Sequence, residues 1–381
     1  MSAAGPHIGL NLVFLVPGET GGMEVAAREL IPALLSQAPA GMRFTAFINR
    51  EAAAAGAGPW GSLLPAVTLP VNARSRVQWV LGEQSVLVRG ASREGVDLLH
   101  SLASTAPAWG PFRRVVTVHD LIYARFPDAH PGLRSRGMRV LVPLAARRAD
   151  RVIADSEYGR QDLIRLLHVD PSRIDVVPLG LGAVRRVSPT GQAATRATFD
   201  LGSRRIVLSL SAKRPHKNLG ALIGALARIP ADQRPLLVLP GYPTWYEAEL
   251  RDQAAREGLS DDVRFLGWIS AEAVEGLWEL AEAFVYPSLY EGFGLPVLEA
   301  MARGVPVACS NASCLPEVVG DAALLFDPSD EAAIAASITR LLSDRDEAGR
   351  LRAAGVQRVR RYTWERTAQL TLESYERALG A

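Results

Sequence analysis

The amino-acid sequence predicts an α/β protein made of two doubly wound parallel-sheet domains that face each other across a cleft. Three observations lead there. The chain has 381 residues, too many for one hydrophobic core and about right for two of ordinary size. Short apolar runs alternate with amphipathic helical patterns from end to end, and runs that are apolar throughout belong to parallel strands covered on both faces. The rhythm breaks once, over Gly180–Gly202, where Gly, Pro, Ser, Thr and Gln gather without a sustained apolar period.

In the first half the strand-like runs are Ile8–Val16, Arg43–Ile48, Val96–His100, Val115–His119, Val152–Ala154 and Ile174–Val177. Helix-like stretches Met23–Ser36, Val77–Val88 and Arg134–Arg147 lie between them, and together they make a domain over residues 1–184. Residues 185–203 read as an interdomain linker. The second domain, 204–362, restarts the pattern with strands Ile206–Leu210, Leu236–Leu239, Val263–Leu266, Ala283–Tyr286, Val305–Ala308 and Ala323–Phe326. Helices Leu219–Ala227, Trp245–Arg256, Val274–Leu280 and Val297–Arg303 fall between these. The remainder is helical in pattern, and its last segment, 363–381, is expected to pack back on the first domain. Ligands of open parallel sheets bind outside the carboxyl ends of the strands, so the cleft is the default site.

Composition narrows the function. Apolar residues at 48% supply two cores, and charged residues at 22% argue against disorder. A net charge of +2 gives no pull toward nucleic acid. The two cysteines, Cys309 and Cys314, are too few for a disulfide framework or for a structural zinc site by themselves. The amino terminus lacks the basic region and small-residue cleavage site of a signal peptide, and no stretch reaches the roughly 18 apolar residues that span a bilayer. A cytoplasmic protein is expected. One local bias stands out: Arg134, Arg136, Arg139, Arg147, Arg148 and Arg151 make residues 134–151 basic. Such a helix is either a solvated face or a peripheral contact with anionic lipid at the inner face of the membrane.

The segment Tyr286–Asp327 carries the most chemistry. Glu291 follows a predicted strand, Gly292-Phe293-Gly294 make a turn, and Pro296 opens a helix of seven or eight residues that stops before Gly304. The glycines let backbone amides approach a ligand, and a helix start carries unpaired N–H groups and partial positive charge suited to phosphate. Glu291 and Glu299 flank the turn, Glu299 in the first helical turn, and a carboxylate can accept from two vicinal hydroxyls of a sugar. Glu299 alone could equally serve the helix dipole.

These residues resemble the nucleotide-sugar motif of the family-4 retaining glycosyltransferases, which pair glutamates around a Gly-Phe-Gly turn, and the similarity covers nearly the whole chain. The resemblance implies two Rossmann-like domains of the GT-B type. It implies that Glu291 contacts the hydroxyls of the transferred sugar, that Glu299 holds the ribose, and that amides from Gly292, Phe293, Gly294 and Leu295 meet the sugar and diphosphate.

Four further segments fit the same family. In LSLSAKRPHKNLGAL, the cations Lys213, Arg214, His216 and Lys217 crowd a strand-to-helix turn. Alone they would read as a solvated loop; in the family pattern Lys217 holds the diphosphate, with Arg214 as the nearest substitute for an arginine usually found earlier, where this chain has Ser211-Ala212. In VPGETGGMEVAAREL, Gly21-Gly22 precede a helix. They are no dinucleotide fingerprint and are either a plain helix entry or the family's glycine turn facing the donor phosphates. In VVTVHDLIY, His119 follows a strand, where it is either a satisfied structural residue or, as the resemblance implies, a contact to the donor sugar; Asp120 would orient it or cap the next turn. In FLGWIS, Leu266, Gly267 and Trp268 resemble the stretch whose backbone reads the base.

Together these imply a retaining hexosyltransferase in which cations and helix starts replace a metal, so no metal and no cofactor are expected. The leaving phosphate would take the acceptor's proton during same-face attack. The pattern HDLIYARFPDAHP with the Arg-rich helix, RRADRVIADSEYGR and VVPLG looks most like mannosyltransferases using GDP-mannose. UDP- or dTDP-linked glucose or rhamnose is the alternative donor. The partners implied are a nucleotide-sugar and a glycan, lipid-linked or small-molecule acceptor. A sugar phosphorylase, an epimerase or a non-catalytic nucleotide-sugar sensor would share the architecture.

Overall fold

A computed structural model describes residues 5–56, 62–126, 133–182 and 187–380, with only the helical backbone at 133–136. The chain divides into two compact units, Met1–Gly182 with Tyr362–Ala381, and Ala183–Arg361.

The first unit is built on seven parallel strands: β1 (His7–Leu12), β2 (Arg43–Ile48), β3 (Ala66–Thr68), β4 (Leu98–Ser101), β5 (Arg113–Val118), β6 (Arg151–Ala154) and β7 (Ile174–Val176). Their order is β3-β2-β1-β4-β5-β6-β7, with Ile8 beside Phe44 on one side and Leu98 on the other. Apart from the edge strand β3, whose Ala66 and Thr68 are exposed, the strands are largely apolar on both faces because helices cover both. Val116, Val118 and Val152 pack with Val142, Ala145 and Ala146 of helix Leu133–Arg148. On the opposite face Thr117 and Ile153 meet Ala27 and Leu30 of helix Gly22–Gln37 and Thr371 of helix Trp364–Leu379.

Helix Trp364–Leu379 belongs to the first unit and is held there by polar contacts as well as packing. Tyr375 Oη lies 2.7 Å from His100 Nδ1, and Ser374 Oγ and Arg377 Nη1 each reach Asp175 at 2.7 Å. Gly180 is a required close approach: a Cβ there would stand 2.4 Å from Trp364 N.

The second unit has six parallel strands, β8 (Ile206–Leu208), β9 (Leu236–Pro240), β10 (Val263–Gly267), β11 (Ala281–Tyr286), β12 (Val307–Ser310) and β13 (Ala323–Phe326), in the order β10-β9-β8-β11-β12-β13. Its core joins Val207, Leu237 and Val285 to Leu222 and Ile223 of helix Leu219–Ala227 and to Ile334 and Ile338 of helix Glu331–Ser343. The chain runs outward from β8 through β9 to β10, then returns to β11 on the other side of β8. That reversal opens a crevice at the carboxyl ends of β8 and β11, the place where doubly wound sheets bind ligands.

Three expectations are corrected. Residues 185–203 are not plain linker: Gln192–Thr198 forms a helix packed against helix Ala271–Leu280, with Thr195 buried and its Oγ1 donating to Thr190 O at 3.1 Å. Residues 185 and 186 lie outside the described residues. The helix expected over Val77–Val88 runs as Arg76–Leu81, a wide π turn at Gly82–Val86, and Leu87–Arg93. Gly82 sits against Val71, where a Cβ would come within 2.4 Å of Cγ2. The basic stretch is also thinner than its sequence suggests by one charge: Arg151 pairs with Asp175, whereas Arg147 Nε donates to Leu167 O at 2.9 Å and the residue stays exposed. The Arg134 and Arg136 side chains and part of HDLIYARFPDAHP lie outside the described residues.

Candidate functional site

The crevice of the second unit is built by the turns that follow β8 and β11. After β8, a short helical turn over Pro215–Lys217 ends at Asn218, whose left-handed backbone (φ 57°) starts helix Leu219–Ala227. Asn218 Nδ2 donates to Pro287 O at 3.1 Å and Pro328 O at 2.7 Å, tying this turn to the ends of β11 and β13. Leu289 N, beyond β11, donates to His216 O at 2.8 Å. The two turns are thus one bonded unit.

They bring Lys217 and Glu291 together. Lys217 Nζ stands 2.6 Å from Glu291 Oε1 and 3.1 Å from Tyr286 Oη, with the two charged side chains 15% and 10% exposed. Burial by itself would raise the Glu291 pKa, but the charge and hydrogen bond of Lys217 outweigh it and hold the carboxyl below its ordinary value. Glu291 is therefore an acceptor at neutral pH. Burial, then Glu291, pushes the Tyr286 phenol well above its usual range, so it remains a hydroxyl. Lys213 goes elsewhere. It is fully buried and donates to Leu239 O and Gly241 O at 2.8 and 2.7 Å, and burial lowers its pKa to about 8. Of the expected cation cluster it is a structural brace. Arg214, partly buried in the same turn, has its pKa lowered by burial.

The turn itself follows. Glu291 N donates to Ser313 Oγ at 3.1 Å, and Cys314 Sγ lies 3.3 Å from Glu291 O and 3.1 Å from Phe293 O. Gly292 is half-buried and Phe293 buried. Gly294 has φ 103° and precedes helix Leu295–Ala302, which has Pro at its start and no side-chain cap. Glu299 lies in the second turn of this helix, one turn later than expected, because the helix begins at Leu295. Burial raises its pKa against the pull of Arg303, whose guanidinium pairs instead with Glu275. At the edge of the sheet, Gly267 (φ 62°) accepts from Gly241 N at 2.8 Å, Leu266 is half-buried and Trp268 is 78% exposed.

The first unit holds the remaining candidates. Gly21 (φ 65°) precedes helix Gly22–Gln37 without a side-chain cap, and its loop is tied by Glu24 Oε2, which accepts from Gly18 N at 2.8 Å. His119 follows β5. Its Nδ1 is 2.8 Å from Asp155 Oδ2 and its Nε2 3.0 Å from Leu102 O. Burial raises the pKa of Asp155; with Asp155 ionised, two acceptors require two N–H groups and make the ring an imidazolium. Burial opposes that charge, yet Asp155 prevails and raises the pKa to about 9. His100, by contrast, is fully buried between Tyr375 and Thr117, and burial drops its pKa to about 3.

Sequence reasoning missed the supporting residues Tyr286, Asn218, Ser313, Cys314 and Asp155. Asn218 beside Lys217 and Tyr286 at a strand end are at least in the right places. Ser313, Cys314 and Asp155 carry no local signal, since each acts on a residue 21 to 36 positions away.

Comparison with known proteins follows the same division of the chain. Residues 20–183 match the family described as "Glycosyltransferase Family 4", and residues 194–358 match "Glycosyl transferases group 1". An Escherichia coli protein named O-antigen chain mannosyltransferase B is 35% identical over 271 residues, 69% of this chain and 70% of that protein. The E. coli serotype-specific mannosyltransferase WbdA is 32% identical over 280 residues, which cover 71% of this chain and 34% of the relative. Among solved structures, sucrose-phosphate synthase from Thermosynechococcus elongatus superposes with TM-score 0.76 at 24% identity, covering 98% of each chain. Anabaena Alr3699/HepE in complex with UDP and glucose gives 0.75 at 20% identity, covering 98% of this chain and all of the other (100%). At those identities the structural likeness speaks for the fold.

Proposed function

Since this chain belongs to glycosyltransferase family 4, we propose that it moves mannose from GDP-mannose to a hydroxyl of a growing glycan, with retention of configuration and without a metal. The observation that carries this is the Lys217–Glu291 pair, 2.6 Å apart at the switch point of the second sheet and immediately before the uncapped helix Leu295–Ala302. An ammonium has three N–H groups, and two of those on Lys217 meet Glu291 and Tyr286. The third would donate to a diphosphate oxygen. Lys217 and the helix start would stabilise the charge that grows on the diphosphate as the sugar–oxygen bond breaks.

Glu291, kept ionised by Lys217, accepts from hydroxyls of the transferred sugar, and Glu299 takes the ribose. Amides of Gly292, Phe293, Gly294 and Leu295 meet sugar and diphosphate, Arg214 adds charge beside Lys217, and Leu266, Gly267 and Trp268 flank the base. Gly21 and Gly22 serve the donor phosphates. His119, held in orientation by Asp155 and Leu102, is the contact to the donor sugar that membership of the family suggests. The leaving phosphate accepts the acceptor's proton as the new bond forms on the same face. Mannose is preferred over glucose or rhamnose because the relatives sharing about a third of this sequence are named mannosyltransferases. A glycan acceptor follows from the same source, one of them being named for the O-antigen chain.

No helix among the described residues is long and apolar enough to cross a membrane. Any approach to a lipid-linked acceptor would use the exposed Arg139, Arg147 and Arg148 of helix Leu133–Arg148. Liposome flotation with and without acidic lipid tests that contact, and flotation indifferent to acidic lipid would remove it.

The donor reading is tested with a panel of GDP-, UDP- and dTDP-sugars, following slow hydrolysis and transfer. GDP-mannose alone should be consumed, with the product sugar retaining its anomeric configuration and EDTA without effect. Turnover of a different donor, inversion, or a phosphate-dependent reaction would each refute a stated part. Glu291→Ala and Lys217→Ala should lower transfer by about a thousandfold, the scale of removing a group that stabilises transition-state charge.

A further inference from the structure

The segment that follows β12 touches the donor turn at three points. Ser313 Oγ accepts from Glu291 N at 3.1 Å, and Cys314 Sγ lies within hydrogen-bonding distance of Glu291 O and Phe293 O, at 3.3 and 3.1 Å. Leu315 packs so closely beneath Gly294 that a Cβ there would stand 2.7 Å from Leu315 Cδ2. Cys314 and Leu315 are fully buried.

This arrangement is not what the entry of a helix requires. Cys314 occupies the cap position of helix Leu315–Val319 and makes no side-chain cap bond to it, where Ser, Thr, Asp or Asn would normally accept from the first amides. Ser313, a residue that could cap, instead turns its hydroxyl to Glu291. It does so with φ 54°, a left-handed conformation unfavourable for any residue with a Cβ. Two polar side chains and a strained backbone are thus directed away from their own helix and onto one neighbouring turn.

We propose that Ser313, Cys314 and Leu315 form a clamp that fixes the Glu291–Gly294 turn in the geometry that receives the nucleotide-sugar, with Ser313 and Cys314 as positioning residues. The proposal rests on the reading that this turn binds the donor. Cys314 suits the task because burial and the neighbouring Glu291 carboxylate keep its thiol protonated, a hydrogen-bond donor that two carbonyls share. Strain persists where the surrounding structure over-determines it, and such sites cluster at ligand clamps.

The test titrates full-length wild type, Cys314→Ala, Cys314→Ser and Ser313→Ala with GDP and with UDP by calorimetry. Melting temperature and amide hydrogen exchange over residues 291–295 are measured in parallel. Loss of one hydrogen bond to the turn should weaken nucleotide binding on the order of tenfold in Cys314→Ala and Ser313→Ala. Exchange at the turn should accelerate by a similar factor, while Cys314→Ser, which keeps a donor, restores binding to within about threefold. Variants that bind like wild type, or a Cys314→Ser as poor as Cys314→Ala, overturn the clamp and leave the donor reading standing. A wild type that binds neither nucleotide defeats the donor reading, and the clamp's purpose with it. Should Cys314→Ala fail to fold, Ser313→Ala decides alone, since it leaves the buried thiol in place.

Discussion

Lys217 and Glu291 share a charge that the solvent barely reaches, so each protects the other from being buried alone. Removing one partner leaves the remaining charge stranded, at a cost of about 3 kcal/mol for a pair this buried. Lys217→Met and Glu291→Gln should therefore each lower stability in urea, whereas the double variant recovers most of the loss and still transfers no sugar. Additive losses would mean the pair is not coupled. His119 allows a second prediction. Its pKa, raised from 6.5 to about 9, means that the folded state holds a proton which the unfolded chain gives up. The stabilisation is complete below pH 6.5 and disappears as pH rises through 9, up to about 3 kcal/mol in all. Asp155→Asn should flatten that alkaline loss, and NMR titration should find the His119 midpoint near 9 in wild type and markedly lower in the variant. A wild-type midpoint near 6.5 would refute the imidazolium assignment.

Among elements, the π turn Gly82–Val86 is the most consequential departure from regular pattern. In it Gly82 nestles against Val71 and Glu83 is buried in the interior, where Oε1 accepts from Asn11 Nδ2 at 2.9 Å and Thr105 Oγ1 at 3.0 Å. Burial raises the Glu83 pKa to about 7 against those two bonds. The folded protein therefore keeps a proton that the unfolded chain releases near 4.5, and stability falls as pH rises from 4.5 to 7. Glu83→Gln preserves both bonds and removes the ionisation, so it should raise the melting temperature at pH 8 and leave it unchanged at pH 4, with a gain of up to about 3 kcal/mol. A variant equally stable or weaker at pH 8 would contradict this. The π turn itself was not legible, since Val77–Val88 has an uninterrupted helical pattern and the close contact of Gly82 is with Val71, outside it. The helix Gln192–Thr198 was hidden for a different reason: it buries Thr195 and no apolar residue, so it has no hydrophobic period to read. The inner strands were plain because burial on both faces makes them apolar throughout, whereas the edge strand β3, exposed at Ala66 and Thr68, was not seen. Glu291 and His119 stand just past strand ends, where position points to them, while Lys217 was singled out by the family resemblance. The partners of those residues arrive from other crossovers, and nothing local announces Ser313, Cys314 or Asp155.

At the scale of the whole molecule, the second unit is one unbroken stretch, Ala183–Arg361, while the first is completed only by Tyr362–Ala381. A fragment of residues 183–361 should fold cooperatively by itself. Residues 1–182 should not, because His100 and Asp175 would lose Tyr375, Ser374 and Arg377, and the face bearing Thr117 and Ile153 would lie open to water. Circular dichroism and proton NMR of the two fragments test this, and supplying residues 362–381 as a separate peptide should rescue the longer-range fold of the first. A cooperatively folded 1–182 fragment would show the returning helix to be dispensable. The same connectivity governs biosynthesis. As the chain leaves the ribosome, its first half emerges early yet must wait, an unclosed sheet exposed to chaperones, until the helix Trp364–Leu379 clears the exit tunnel; a premature stop soon after residue 361 would spare the second unit and condemn the part made first.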